Sequence, residues 1–338
     1  IPLYRGQDHI LEAVASVRAD RLNDWEILIF DDCSPDSSVA LIESLHDSRI
    51  RIIRSSENVG LVHARNKLLE EARAPYVAWL DQDDFNYPHR LETQANFLDS
   101  HPTISLVASW TDVLVEAATG ARVTYTKVQP SSHRSIRAFM PFTNPIACNT
   151  VMMRKADFQR RKLGFREQFG NTLDYDLWSR SSHDLTFHVL REPLSVYRVH
   201  PKQTSRGTEL LVMGKAALRV QEEFINHTLN LSMSDEQVEI HATLTQLSTR
   251  RLDSNSLQQI MYWLTELRRA NSQTGNLTQH SFHDALAQQW YRAVASAYPM
   301  GMPEKIWRAI GGARRMKLSW STIVQAAAQS AHRRWLRH

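Results

Sequence analysis

Tyr76-Val77-Ala78-Trp79-Leu80-Asp81-Gln82-Asp83-Asp84 decides how the first half of this chain is read. Five apolar residues bounded by a burst of like charge read as a buried strand whose carboxylates stand where it leaves its sheet. Three carboxylates crowded there repel one another unless a cation joins them. A hard divalent ion is the natural partner, because Mg²⁺ and Mn²⁺ take oxygen ligands and bridge carboxylates to phosphate oxygens. The competing reading makes Asp84 a cap for a helix starting near Pro88, with the other two acids solvated.

Outward from this stretch, short apolar runs alternate with amphipathic ones, the pattern of an α/β sheet with helices on its faces. Strands are expected at Glu26–Phe30, Arg51–Ile53, Tyr76–Leu80 and Ser105–Ser109, and helices near His9–Arg18, Ser37–Leu45, Val62–Ala72 and His89–Ser100. Asp31 and Asp32 end the first of these strands as Asp81 and Asp83 end the third. Ligands bind outside the carboxyl ends of parallel strands, so two acidic ends in one sheet predict a shared crevice. Further on, a hairpin about Gly120 joins Val113–Glu116 to Arg122–Thr126. Thr150–Arg154, Leu185–Leu190 and Leu194–Arg198 read as strands and Leu173–Ser181 as a helix. From 206 the pattern is helical: Leu257, Ile260, Met261, Leu264 and Leu267 keep helical spacing, and Ser234 to Gln237 has capping-box form. The expected division is 1–205, an α/β domain, and 206–338, a helical extension.

The chain has 338 residues, 42% hydrophobic and 22% charged, as ordinary globular domains do. No apolar run approaches the roughly 20 residues that span a bilayer. Cys33 and Cys148 lie far apart, which favours a reducing compartment, by default the cytoplasm. The N-terminus has no signal-peptide pattern, and Ile1-Pro2 reads as the end of a strand whose first residues are missing. After Glu304 no acidic residue follows, whereas Lys305, Arg308, Arg314, Arg315, Lys317, Arg333, Arg334 and Arg337 do. Interleaved with Trp307, Ile310, Trp320, Ile323, Val324, Trp335 and Leu336, they make either a helix lying on an anionic membrane or a bundle helix with a basic face. Without a nucleic-acid-binding module, nucleic acid is not an expected partner.

Four motifs in order carry a resemblance: Ile1-Pro2-Leu3-Tyr4-Arg5; Ile29-Phe30-Asp31-Asp32-Cys33-Ser34-Pro35-Asp36; Asn58-Val59-Gly60-Leu61-Val62-His63-Ala64-Arg65-Asn66; and Leu80-Asp81-Gln82-Asp83-Asp84 with Pro88 and Arg90. Their order and spacing resemble the family-2 glycosyltransferases of GT-A fold, a Rossmann-like nucleotide-sugar-binding domain, over roughly residues 1–205. The resemblance implies sugar transfer from a nucleotide diphosphate donor, UDP- or dTDP-type, with inversion and with Mn²⁺ or Mg²⁺. By that likeness Pro2 and Tyr4 flank the base and Asp32 reads a uracil-type edge. Asp81 sits near the ribose, Asp83 ligates the metal, and Arg65 orients the donor or braces Asp32. Gly60 permits close backbone approach, and Asn58 belongs to the same element.

Leu173-Asp174-Tyr175-Asp176-Leu177-Trp178-Ser179-Arg180 is similar to the family's EDYDLWxR element, which makes Asp174 the base that takes the acceptor proton. Leu173 replaces the usual Glu, which leaves acceptor identity open. Asp176 and Arg180, one turn apart, read as a structural pair. Tyr197 to Ser205 resembles a closing YRxHxxxxS element in which His200 completes the metal shell, and Gly164 to Glu167 stands where the acceptor loop belongs. The likeness also implies a glycan or lipid-linked acceptor and surface-glycan synthesis on the inner face of the cytoplasmic membrane. Two other functions compete: a sugar nucleotidyltransferase, although only Gly6 stands where its Gly-rich phosphate loop belongs, and a catalytically silent binding protein of the same fold.

Overall fold

The structure, a computed structural model, describes residues 1–116, 122–200, 209–246, 252–297, 302–318, 323, 324 and 327. The chain divides into two compact units, 1–133 with 146–213, and 134–145 with 214–338.

The first unit opens with β1 (Pro2–Leu3), α1 (Ile10–Arg18), β2 (Ile27–Asp31), α2 (Ser38–Glu43), β3 (Ile50–Arg54) and α3 (Leu61–Glu71). β4 (Tyr76–Ala78), β5 (Phe85–Asn86), α4 (Arg90–Ser100), β6 (Leu106–Glu116) and β7 (Arg122–Lys127) follow. After α5 (His133–Phe139), whose residues from 134 on belong to the second unit, come β8 (Met152–Arg154), α6 (Lys155–Arg160), α7 (Leu173–Ser181) and β9 (Phe187–Val199). β1, β2 and β3 form a parallel sheet in that order, and all five residues of β2 are buried. A buried strand whose first four residues are all apolar is what a sheet covered on both faces requires. α1 turns Ile10, Ala13, Val14 and Val17 inward to pack with Leu3, Ile29, Leu91 and Leu98. Each large aliphatic side chain buried there contributes about 1.5–3 kcal/mol.

The expectation of a single sheet does not hold. β4 pairs antiparallel with β8, in a second sheet ordered β4-β8-β6-β9-β5 with β7 on β6. Its three residues are taken up by Met152–Arg154, and Trp79 N–H continues the pairing to the Val151 carbonyl at 3.0 Å. The acidic ends of β2 and β4 therefore belong to different sheets. The two strands expected at 185–190 and 194–198 are one. Pro193, which lacks an N–H, is absorbed as a register shift against Ser109 to Thr111 rather than a break. Nor does Asp84 cap α4: the Leu91 and Glu92 amides donate to Asp20, at 2.8 and 3.3 Å. Both cysteines are free.

The second unit contains α8 (Glu209–Leu229) from residue 214 on, α9 (Asp235–Thr245), α10 (Ser254–Thr274), α11 (Gln279–Ala297) and α12 (Met302–Arg315). The capping box forms at Ser234 and Gln237, and Gly275, at φ 68°, ends α10 in the left-handed conformation that glycine favours. α10 buries Leu257, Ile260, Leu264 and Leu267, as their spacing predicts, together with Trp263. His241 is fully buried between the Pro141 carbonyl, 2.9 Å from Nε2, and the Trp263 indole N–H, 2.9 Å from Nδ1. These bonds fix the ring as the Nε2–H tautomer, and burial lowers its pKa to about 4. Toward the end of the unit Ala309, Ile310, Ala313, Met316 and Leu318 are buried, while Arg308, Arg314, Arg315 and Lys317 are exposed. A Cβ at Gly312 would lie 2.2 Å from the Trp290 ring, so only glycine lets these helices approach so closely. The apolar stripe of the basic tail is thus used inside the unit over 309–318. Trp320, Arg333, Arg334, Trp335, Leu336 and Arg337 lie outside the described residues. Among those described, no helix is long and apolar enough to cross a membrane.

Candidate active site

The end of β2 is organised by Asp32. Its amide donates to the Leu3 carbonyl at 2.9 Å, and its carboxylate accepts from the Val59 and Gly60 amides at 2.7 and 2.9 Å. Asn58 Nδ2 donates to the Asp32 carbonyl at 3.3 Å. Gly60 has φ 88°, a conformation that strains any residue with a Cβ, and a Cβ there would meet nothing within 4 Å. The glycine answers a conformational need, and no atom of the chain itself stands where a side chain would be. Pro2 is buried in β1, and Tyr4 leaves its ring exposed beneath the Arg5 guanidinium, 5.1 Å from the ring centroid.

Although their strands lie in separate sheets, the two acidic tips are linked indirectly: Gln82 ties the turn carrying Asp81 and Asp83 to Tyr4, which follows the Leu3 that holds the Asp32 amide. The Gln82 side-chain oxygen accepts from Tyr4 N–H at 2.8 Å and its Nε2 donates to the Tyr4 carbonyl at 2.9 Å, so one amide stands in for a missing strand pair. Beside it Arg65 donates to Asp81 at 2.7 Å and to the Cys148 sulfur at 2.8 Å. Arg65 braces Asp81, then, rather than Asp32, whose oxygens are already taken by amides. The guanidinium lies 5.7 Å from the ring centroids of both Trp79 and Phe165. Burial alone would lower its pKa, but Cys148, Asp81 and Asp174 around it raise it above the ordinary value. Burial likewise pushes the Cys148 thiol up.

Asp83 and His200 meet at 3.1 Å, both partly exposed, and the His9 ring packs on His200 at 5.0 Å between centroids. Burial and then Asp81 raise the Asp83 pKa, against the opposing pull of His200. Asp84 points inward. Its Oδ1 accepts from Arg198 N–H at 2.9 Å, its Oδ2 has no partner, and burial followed by Asp83 and Asp81 raises its pKa strongly. The remainder of the closing element, 201–205, lies outside the described residues.

α7 supplies the third part. Asp174 is its second residue, where a helix N-terminus favours negative charge, and its Oδ1 accepts from Tyr175 N–H at 2.8 Å. Leu173, in place of the family's Glu, is buried in the core. Asp176 is buried between Arg180, 2.9 Å away, and Arg166, and Arg180 also donates to the Gly164 carbonyl at 2.7 Å. The expected Asp176–Arg180 pair is thus part of a three-residue lock. Asn66 bonds Phe165 in both directions, at 2.8 and 2.9 Å, and fastens the Gly164–Glu167 loop to α3.

Arg65 is within electrostatic reach of both Asp81 and Asp174, Asp83 lies beside His200, and Asp32 holds the turn at Asn58 and Gly60. The sequence reading gives Gln82, Asn66, Cys148 and Arg198 no part in the site. Their partners are remote in the chain, up to 186 residues for Arg198 and Glu12, so no local pattern signals them. Among the described residues, no three or more His, Cys, Asp or Glu side chains are grouped to hold a metal ion.

Residues 1–160 match the family model described as glycosyl transferase family 2. An uncharacterized glycosyltransferase of Haemophilus influenzae is 27% identical over 266 residues, 77% of this chain and 82% of that protein. TuaG, a Bacillus subtilis glycosyltransferase provisionally assigned to teichuronic acid biosynthesis, is 39% identical over 99 residues, 29% of this chain and 39% of its own length. Among solved structures, S. aureus TarS 1-349 in complex with UDP-GlcNAc aligns with a TM-score of 0.55 at 16% identity, covering 86% of this chain and 85% of that one. That likeness bears on the fold, which is GT-A with C-terminal helices. Residues 1–160 are a glycosyl transferase family 2 domain, and the chain is a transferase.

Proposed function

We propose that this chain transfers a sugar from a nucleoside diphosphate donor, UDP- or dTDP-linked, to a glycan or lipid-linked acceptor, with inversion at the anomeric carbon. One observation carries this reading: within a single unit Asp81 is held by Arg65, Asp83 faces His200, and Asp174 is close enough to act on that same Arg65. The UDP-GlcNAc bound to TarS and the assignment of TuaG to teichuronic acid synthesis support the donor class and a role in surface polysaccharide or glycoconjugate assembly.

A divalent cation, Mn²⁺ or Mg²⁺, fits the donors present. Asp83 and His200, both partly exposed, would hold it through a carboxylate oxygen and an imidazole nitrogen. Bound there, the ion would neutralise charge on the departing diphosphate. Pro2, Tyr4, Asp32, Asn58 and Gly60 seat the base, and Asp81 faces the ribose. Asp174 takes the proton of an acceptor hydroxyl as its oxygen bonds to the anomeric carbon; the bond from that carbon to the diphosphate breaks, and the nucleoside diphosphate leaves. No covalent glycosyl-enzyme forms. The exposed Arg314, Arg315 and Lys317 offer charge for peripheral contact with an anionic membrane on its cytoplasmic side, through attraction to headgroups rather than insertion of the buried apolar stripe.

The test is turnover of a panel of nucleotide sugars with Mn²⁺ by the full chain and by Asp174→Asn. Transfer by the parent that the variant loses is the expected result. Donor binding with no turnover across donors and acceptors would favour the silent binding protein, and pyrophosphate release from a nucleoside triphosphate and a sugar phosphate would favour the nucleotidyltransferase.

A further inference from the structure

We infer that Arg198 is a positioning residue of the cation site, the part that holds Asp83 and His200 in fixed relation. This rests on the function proposed above. Arg198 lies in β9 two residues before His200, and its side chain is only 5% exposed. Nε donates to the Asp83 carbonyl at 3.0 Å and the Arg198 amide to Asp84 Oδ1 at 2.9 Å. Nη1 donates to Glu116 of β6 at 2.8 Å, Nη2 to Glu12 of α1 at 2.5 Å, and the guanidinium lies 5.4 Å from the Phe85 ring centroid. A single side chain thus ties the 83–85 turn to α1, β6 and the strand that delivers His200.

The choice of acceptors matters. Glu12 and Glu116 supply the charge that a buried guanidinium needs. The turn is gripped through a main-chain carbonyl and through Asp84, which leaves the Asp83 carboxylate to face His200. Asp83 is thereby located without being consumed as a salt-bridge partner. Lysine would keep the charge, but its compact ammonium lacks the planar fork that meets the Asp83 carbonyl and both glutamates from one stem. Partners that orient metal ligands change affinity by about 10- to 100-fold when removed.

Mn²⁺ binding to the full chain, followed by electron paramagnetic resonance in the presence of UDP, reads this directly. Arg198→Lys is expected to weaken Mn²⁺ by about tenfold or more, with UDP affinity in the absence of metal unchanged. Glu116→Gln, which leaves Arg198 in place, is expected to shift Mn²⁺ affinity in the same direction by a smaller factor and serves if Arg198→Lys does not fold. Parental Mn²⁺ affinity in both variants, alongside its loss in Asp83→Asn, would overturn the role of Arg198 and leave the function standing. Failure of the parent chain to bind Mn²⁺ would overturn both.

Discussion

The first unit buries Arg65, Arg90, Arg198, Asp84 and Asp176, whereas the helical unit centres on His241, held neutral between a carbonyl and an indole. Arg90 is an extreme case: fully buried, it donates only to Asn86, Gln94 and the carbonyls of Trp79 and Val151. Burial brings its pKa down to about 10, resisted by Cys148, Asp20, Asp84 and Asp81, so it stays charged at neutral pH. Removing such groups from water costs several kcal/mol each, and apolar residues of similar volume often serve stability as well or better. The helical unit is built in that cheaper way. Fixed charge in the first unit is concentrated around the acidic turn and the N-terminus of α7, where a diphosphate, a cation and a proton would have to be handled.

The contrast can be broken at its sharpest point by Asp174→Asn. Activity should fall by about 10²- to 10⁴-fold with a far smaller effect on the melting temperature, because the side chain is partly exposed and the buried Arg65 keeps its bond to Asp81. An unchanged rate would remove Asp174 from the chemistry.

A second test addresses the neutral core. The His241 pKa is lowered from 6.5 to about 4 in the folded chain. Between those values the unfolded state takes up a proton that the folded state refuses, so stability present above pH 6.5 is lost as pH falls toward 4, by up to about 3 kcal/mol. The ring's surroundings, Pro141, Phe142 and Trp263, are themselves uncharged. Melting temperature against pH should therefore decline more steeply over that window in the parent chain than in His241→Gln. Parallel curves would show that the ring is not held neutral.

A smaller effect is expected at the bridge between the acidic tips. Gln82→Glu keeps an acceptor for Tyr4 N–H but sets a carboxylate against the Tyr4 carbonyl in place of a donor. Losing one such bond costs about 1–2 kcal/mol, which corresponds to a donor KM raised by about tenfold. A KM equal to that of the parent would mean that Tyr4 is placed without Gln82.

Much of this was legible in the sequence where the signal was local. The acidic cluster after an apolar run, the helix beginning at Leu173 and the capping box at Ser234 were all found where their patterns stood. What escaped was long-range. A three-residue β4 carries no mark of which sheet accepts it, and the segment 134–145, which belongs with the helices, interrupts the first unit without a change of composition. The strands read at 185–190 and 194–198 are one, because Pro193 is accommodated as a register irregularity. Proximity along the chain says nothing of the Arg65–Asp81 pair, and Arg198, quoted within the closing element, carries no role in the sequence because its acceptors lie as far away as Glu12 and Glu116.

The most direct test of a single donor site is calorimetric titration of UDP into the full chain with and without Mn²⁺, repeated for Asp83→Asn. Tight binding that needs Mn²⁺ and is lost in the variant is the expected result. UDP binding indifferent to both the metal and Asp83, or no UDP binding at all, would contradict it.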